Sequence, residues 1–298
     1  MGTRGSALAR AQTAIIAEAL RALDPTMVLE VVVITTSGDR IAGPIPRETP
    51  SAPESVKGLF TKEIEEALLR REIDLAVHSL KDLPTPATPG LVITAVPARG
   101  DPRDVVISRE GGVLRGLPLG ARVGTGSARR DVLIREARPD LMVQPIRGNV
   151  DTRLRKLAAG EVDALVLAAA GLIRLGREAE ITEWLPPEEF VPAPGQGALA
   201  VQVRADDEIA RTLAGLDDAP TRRAVEAERL FADHVGGGCR MPVGAYAEQR
   251  DGRLTLTGMV HEGRPIRVTV SGEAEEGSRL AAEAAKAVGM GRTGSTAP

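Results

Sequence analysis

Two short segments hold the residues best suited to chemistry. HVGGGCRMPVGAY, His234–Tyr246, carries Cys239, the only cysteine in the chain, behind three consecutive glycines. A structural cysteine normally packs as a small hydrophobe inside a strand or helix. A glycine run instead suits a backbone that turns sharply or is closely approached by another group. AVHSLKDLP, Ala76–Pro84, ends an apolar run on His78, Ser79, Lys81 and Asp82 before a proline breaks the chain. Polar groups at the end of a buried strand are how α/β proteins often build sites. Asp82, beside Lys81, is read as functional rather than as a turn cap, and His78 as a satisfied core imidazole. A nucleophilic pair of Cys239 with His234 would need an orienting third group, which the sequence does not offer.

Basic residues gather where the chain turns into helices. GTRGSA (Gly2–Ala7) and GTGSA (Gly124–Ala128) each precede a helical segment, placing Arg4 and Ser6 in one, and Thr125, Ser127, Arg129 and Arg130 in or beside the other. Free backbone N–H groups and the helix dipole make such turns receptive to an anion. In IRGNVDTRLRKL (Ile146–Leu157), Gly148 and Asn149 suit a turn and Asp151 or Thr152 an N-cap. Arg147 then precedes a helix and Arg153 lies on its first turn, an unfavourable place for a cation unless a bound anion compensates. Arg155 and Lys156 read as a solvated face. Arg174, in AAAGLIRLG, reads either as a site-edge residue or as an ordinary surface arginine. Together these clusters imply a ligand with several separated negative charges, and carboxylates match guanidinium forks well.

Composition narrows the classes. With 298 residues the chain has room for two or three domains, and 43% hydrophobic and 27% charged residues at net charge −3 describe a soluble globular protein. Aromatics at 2% leave almost no stacking surface, and the slight acidity argues against nucleic acid as a partner. The longest apolar run, Ala164–Ile173, is about half of what a membrane span needs. One cysteine cannot form an internal disulfide, and MGTRGSALARAQ has no apolar signal core, so a cytoplasmic protein is expected, by default a monomer. His78, His234, His261 and Cys239 show no metal-ligand spacing, so no metal is expected, and no Walker motif occurs.

The elements that must position these residues alternate. A helix over Ser6–Leu23 with Ser6 as N-cap, a strand over Leu29–Thr35, a mobile loop over Gly38–Val56, a helix over Phe60–Arg70 and a buried strand over Ile73–Val77 make an α/β lobe. The plan then recurs: the GTRGSA and GTGSA turns echo one another, and so, in matching order, do EIDLAV (Glu72–Val77) and EVDALV (Glu161–Val166). Two lobes of one design would hold a ligand in the cleft between them. PARGDPRD (Pro97–Asp104) and VPAPGQG (Val191–Gly197) read as the two crossings and a natural hinge. Beyond Pro220, a helix over Thr221–Asp233, strands around Pro242–Tyr246, Leu254–Val260 and Ile266–Val270, and a helix over Ser278–Val288 suggest a small α+β domain. The expected division is lobe 1 at 1–97 with 198–216, lobe 2 at 103–191, the α+β domain at 220–290 and a tail at 291–298.

These motifs, taken in order, resemble one family: porphobilinogen deaminase, also called hydroxymethylbilane synthase. The matching segments are GTRGSALARAQ, KGLFTKEIE, VHSLKDLPT, DPRDV, GTGSARR, IRGNVDTRL, LAAAGLIRLG, PAPGQGA and GGGCRMPVGAY, which span nearly the whole chain. The resemblance implies two lobes like those of periplasmic binding proteins plus the third domain. It implies that Cys239 carries, through a thioether, a dipyrromethane cofactor made from two substrate units, and that Asp82 is the catalytic aspartate. Lys81, Thr125, Ser127, Arg129, Arg130 and Arg147 would hold cofactor carboxylates. Arg4, Ser6, Arg153, Arg174 and Gln196 would face incoming porphobilinogen, and Lys57 and Phe60 belong to the loop expected to cover the site. The reaction implied is the head-to-tail joining of four porphobilinogen molecules with release of ammonia. The chain departs from the family in three places. It begins at MGTRGS where the family has a longer first strand, Ser55-Val56 replaces a glycine pair before KGLF, and Ser37 replaces an arginine.

Overall fold

Short β-branched runs become strands here only where a neighbour can take up their backbone hydrogen bonds. The computed structural model describes residues 1–37, 61–85, 87–236 and 242–289. The loop expected over Gly38–Val56, the two covering residues Lys57 and Phe60, Cys239 and the tail lie outside the described residues. The chain divides into two compact units, Met1–Arg99 with Ala198–Asp218, and Gly100–Gly197 with Ala219–Pro298.

Among the described residues the strands are β1 (Gly2–Arg4), β2 (Val32–Ile34), β3 (Leu75–Ser79), β4 (Leu91–Ala95), β5 (Asp104–Ser108), β6 (Arg122–Thr125), β7 (Met142–Pro145), β8 (Ala164–Ala168), β9 (Glu183–Trp184), β10 (Leu199–Arg204), β11 (Gly244–Arg250), β12 (Arg253–His261) and β13 (Pro265–Glu273). The first unit's sheet runs β2-β1-β3-β10-β4 and the second unit's runs β7-β6-β8-β5-β9. Each sheet has three parallel strands followed by one antiparallel to its neighbours on both sides, β10 in the first unit and β5 in the second. The echo in sequence is thus an echo in topology: β1 and β6 occupy one place in the order, β3 and β8 the next. β10 and β5 are each the first strand after the chain has passed from one unit to the other.

Helices follow β1 and β6 as the sequence implies. α1 (Ala7–Leu23) has Ser6 as N-cap, its side chain accepting from the Ala9 N–H, and buries Gln12, Thr13, Ile16, Ala17 and Leu20 along one stripe. α2 (Lys62–Leu69) packs Ile64 and Leu68 into the same unit. α3 (Ala128–Ala137) has Ser127 as N-cap, and α4 (Val150–Ala158) follows β7. α5 (Ala169–Arg174) follows β8, and α6 (Ile209–Leu213) closes the first unit. α7 (Ala219–His234) and α8 (Gly277–Ala287) cover the antiparallel sheet β11-β12-β13, forming the small α+β C-terminal domain. No described helix is long and apolar enough to cross a membrane.

Two local readings need correction. The strand expected over Leu29–Thr35 is confined to Val32–Ile34, because β1 offers partners only from Gly2 to Arg4. The cap of α4 is Asn149, not Asp151 or Thr152: its extended backbone leaves Oδ1 to accept from the Thr152 N–H at 2.9 Å.

The C-terminal domain turns on Phe231 of α7, fully buried, whose ring lies so closely over Gly258 of β12 that a Cβ there would collide with it. Phe231→Ala removes that ring from a closely packed core and should cost about 3–5 kcal/mol. Urea unfolding of the variant checks this; a loss of under about 1 kcal/mol would contradict the packing described, since large-to-small changes at tight sites do not come so cheaply.

Candidate functional site

In the first unit, Asp82 is delivered by a strand that ends on a tight turn. β3 is buried on both faces and stops at Ser79, and a 3₁₀ turn covers Leu80–Asp82. Leu80 and Leu83 are buried and pin the turn from both ends, while the Leu80 N–H donates to the Ala198 carbonyl at 3.0 Å. Lys81 and Asp82 are left half-exposed between the two anchors. The Gln12 side chain on α1 donates to Ser79 Oγ at 2.8 Å, tying helix and turn together. Arg4, Ser6, Gln12, Thr61, His78 and Asp82 line one pocket of this unit, which Ser79 also borders.

His78 is buried, as expected, but only partly satisfied: the Gln202 side chain bonds to the ring, while Nε2 has no hydrogen-bond partner among the described residues. Burial, reinforced by the Arg4 charge and opposed by the Gln202 amide, pulls its pKa down to about 4. The imidazole is therefore neutral at pH 7. Gln202 on β10 in turn donates to Glu65 of α2 at 2.8 Å, within the buried layer behind the turn.

The second unit gathers the arginines. Ser127 caps α3, accepting from the Arg130 N–H at 3.4 Å, and the Arg129 and Arg130 side chains leave the first turn of the helix toward β5. There Asp104, fully buried, receives them. Arg129 Nη1 donates to Oδ2 at 2.7 Å, and Arg130 donates to Oδ1 through Nε at 3.0 Å and Nη2 at 2.8 Å. Burial alone would raise the Asp104 pKa, but the two guanidiniums overcome it and hold the carboxyl well below the usual carboxylate range. Gln196, also fully buried, donates to Oδ1 at 2.8 Å and to the Pro102 carbonyl at 2.7 Å.

Further residues sit on turns of the same unit. Gly148 turns the chain before Asn149 with φ +109°, a conformation side chains rarely adopt. Arg153 Nε donates back to the Gly148 carbonyl at 2.9 Å. Burial, joined by the like charges of Arg130 and Arg147, pulls the Arg153 pKa down to about 10. Arg147 itself is exposed. Arg174, the last residue of α5, donates to the Gly197 carbonyl at 2.5 Å, and burial takes its pKa to about 10. Gly197 has φ +88°, and a Cβ there would lie 2.5 Å from the Gly100 carbonyl oxygen, so the close pass of these segments depends on glycine. Glu228 of α7 accepts from the Gly195 and Ala247 N–H groups, both at 2.7 Å, fixing the PAPGQG turn that carries Gln196.

The structure thus brings Thr125, Ser127, Arg129, Arg130 and Gln196 to one end of the second unit's sheet, and Arg4, Ser6 and Asp82 to one pocket of the first. Cys239, Lys57 and Phe60 fall outside the described residues. Sequence reasoning missed Gln12 and Asp104. A polar residue on the apolar stripe of α1 was the signal for Gln12. The signal for Asp104 was an acid at the start of an apolar run, DVVIS, in a protein rich in clustered arginines.

One α/β unit thus presents an acid on a strand-end turn, and its twin an arginine-rich cluster centred on a buried carboxylate. Comparison with known proteins places the chain in a family. Residues 1–212 match the family model "Porphobilinogen deaminase, dipyromethane cofactor binding domain", and residues 222–290 match "Porphobilinogen deaminase, C-terminal domain". The porphobilinogen deaminase of Syntrophus aciditrophicus is 50% identical over 293 residues, covering 96% of this chain and 93% of that one. Those of Roseiflexus castenholzii and Thermus thermophilus are 49% and 48% identical, covering 97% of this chain and 96% and 94% of theirs. The chain belongs to the porphobilinogen deaminase family.

The neutral, buried His78 has a consequence for stability. An unfolded histidine titrates near pH 6.5, so on acidification the unfolded chain takes up a proton that the folded chain accepts only near pH 4. The stability His78 confers is full above pH 6.5 and is lost as pH falls toward 4, by an amount on the order of 3 kcal/mol. Urea midpoints at pH 7 and 4.5 should fall less for His78→Gln than for the wild type; equal falls would contradict the buried neutral imidazole.

Proposed function

We propose that this chain catalyses the head-to-tail condensation of four porphobilinogen molecules, releasing one ammonia per coupling, on a dipyrromethane primer held by a thioether to Cys239. This is the hydroxymethylbilane synthase step of tetrapyrrole biosynthesis. The observation that carries the reading, beside family membership, is the charge imbalance of the second unit. Within the arginine cluster one buried carboxylate, Asp104, stands against two buried guanidiniums, and burial together with the like charges of Arg130 and Arg147 pulls the Arg153 pKa down. Ligand carboxylates relieve such a cluster. Each pyrrole of the primer and of the substrate carries an acetate and a propionate, so the donor set fits both.

In this reading Lys81, Thr125, Ser127, Arg129, Arg130 and Arg147 hold the primer's carboxylates, while Arg4, Ser6, Arg153, Arg174 and Gln196 receive those of porphobilinogen. When bound, the dipyrromethane supplies the pyrrole carbon to which the first substrate unit is joined. The chain's own residues supply orientation and charge. The guanidiniums grip two side chains on each ring and so fix its plane, which brings the reacting carbons into line. Departure of the amine from porphobilinogen breaks a C–N bond and leaves positive charge spread onto the pyrrole nitrogen. The Asp82 carboxylate accepts that N–H, stabilises the charge, and takes up the proton that the attacking ring carbon loses when the new C–C bond has formed. Leu80 and Leu83 hold the turn steady while it does so. Lys57 and Phe60 are assigned to the covering loop.

The same reading divides the chain into lobes at 1–97 with 198–216 and 103–191 and a C-terminal domain at 220–290, and makes it a cytoplasmic monomer. Its single cysteine, kept free for attachment, suits a reducing compartment.

Asp82→Asn should retain the covalent primer but lose about 10²–10⁴-fold in the rate of ammonia release from porphobilinogen, the range general acid–base groups contribute. Ammonia release and hydroxymethylbilane formation, measured together, check this. Wild-type rates in Asp82→Asn would remove Asp82 from the mechanism, and wild-type protein that releases no ammonia would refute the function.

A further inference from the structure

Asp104 is the point on which the second unit's arginines converge. Four donors reach its carboxylate: Arg129 Nη1 on Oδ2, and Arg130 Nε, Arg130 Nη2 and Gln196 Nε2 on Oδ1. Each guanidinium is also held from a second direction, Arg129 Nη1 by the Val191 carbonyl at 2.7 Å and Arg130 Nη1 by the Val166 carbonyl at 3.2 Å. Gln196 closes the set by accepting from Arg130 Nη2 at 3.3 Å. Asp104 opens β5, which is flanked by β8 and β9, so the carboxylate stands on backbone that is hydrogen-bonded on both sides. The Leu185 N–H bonds the Asp104 carbonyl at 3.0 Å.

An arginine side chain is long and rotamer-rich, and it directs its fork at a ligand only when its own freedom has already been removed. We propose that Asp104 is a positioning residue for the reaction: it aims the Arg129 and Arg130 side chains, anchors Gln196 at the same point, and leaves one positive charge unneutralised to draw in a ligand carboxylate. This rests on the function proposed above. A role in positioning differs from a role in charge balance. Charge balance tolerates any nearby acid, whereas positioning fails when the carboxyl moves by a bond length, because reacting groups must be held to within about 0.5 Å.

Two substitutions separate these roles. Asp104→Glu keeps the charge and lengthens the arm by one methylene; Asp104→Asn keeps the shape and removes the charge. Full-length proteins made without a supply of porphobilinogen are mixed with it, and the covalent mass increment is followed with time and substrate concentration. Trp184, the only tryptophan, pairs with Val105 next to Asp104 and reports on the local fold through its emission, alongside the thermal midpoint. In Asp104→Glu the emission and midpoint should match the wild type, while the porphobilinogen concentration for half-maximal acquisition rises and the rate falls roughly 10- to 100-fold, as small misplacements produce. Asp104→Asn should fall at least as far. Wild-type acquisition by Asp104→Glu would reduce Asp104 to charge balance, and failure of that variant to fold would make it a folding residue; either overturns the proposal. Wild-type protein run in parallel that gains no increment would refute the function, and the positioning role with it.

Discussion

Removing a carboxylate and two guanidiniums from water costs several kcal/mol for each ion unless hydrogen bonds replace the lost hydration. The second unit meets that demand with Asp104, whose two oxygens take four donors, and with backbone carbonyls from Val166 and Val191. Much of the unit's chain path follows from it. Ser127 must cap α3 so that two successive arginines leave its first turn, and β5 must begin at the acid. The PAPGQG turn must return to bring Gln196 alongside, with Gly197 allowing the backbone to pass Gly100. Glu228 then fixes that turn through the Gly195 N–H, linking it to the helix that precedes Cys239 in the chain.

The two units share a strand order and a capping serine, yet they have diverged in chemistry. At the end of β3 the first unit turns on buried leucines and presents Lys81 and Asp82. At the equivalent end of β8 the second unit runs directly into α5 and presents Arg174. Ser6 and Ser127 do the same structural work in both, but Arg4 precedes the first cap while Arg129 and Arg130 follow the second. One design thus presents an acid in one unit and an arginine-rich cluster in the other. Rigid strand ends carry the groups in both cases.

Much of this was legible in the sequence for physical reasons. The buried strands are continuous apolar runs because both faces are covered, and Ser6 and Ser127 stand where only a capping side chain makes sense. The GTRGSA and GTGSA echo was short, but it fell at corresponding places in the two sheets. Other features were hidden because they depend on pairing rather than pattern. The length of β2 is set by β1, and the cap of α4 is chosen by the backbone angles at Asn149. His78 reads as an ordinary core residue until burial shows that its Nε2 has no partner among the described residues. Asp104 looked like part of a polar crossing because nothing local reveals that residues 25, 26 and 92 positions later will meet on it.

In the function proposed, this chain carries its own primer on Cys239 and feeds it through carboxylate contacts. The most direct measurement is the denatured intact mass of protein exposed to porphobilinogen, followed by peptide mapping. The expected result is an increment of two porphobilinogen units less two ammonia, located on the peptide that contains Cys239 and absent from Cys239→Ala. A bare polypeptide mass after exposure, or an increment on another residue, would contradict it.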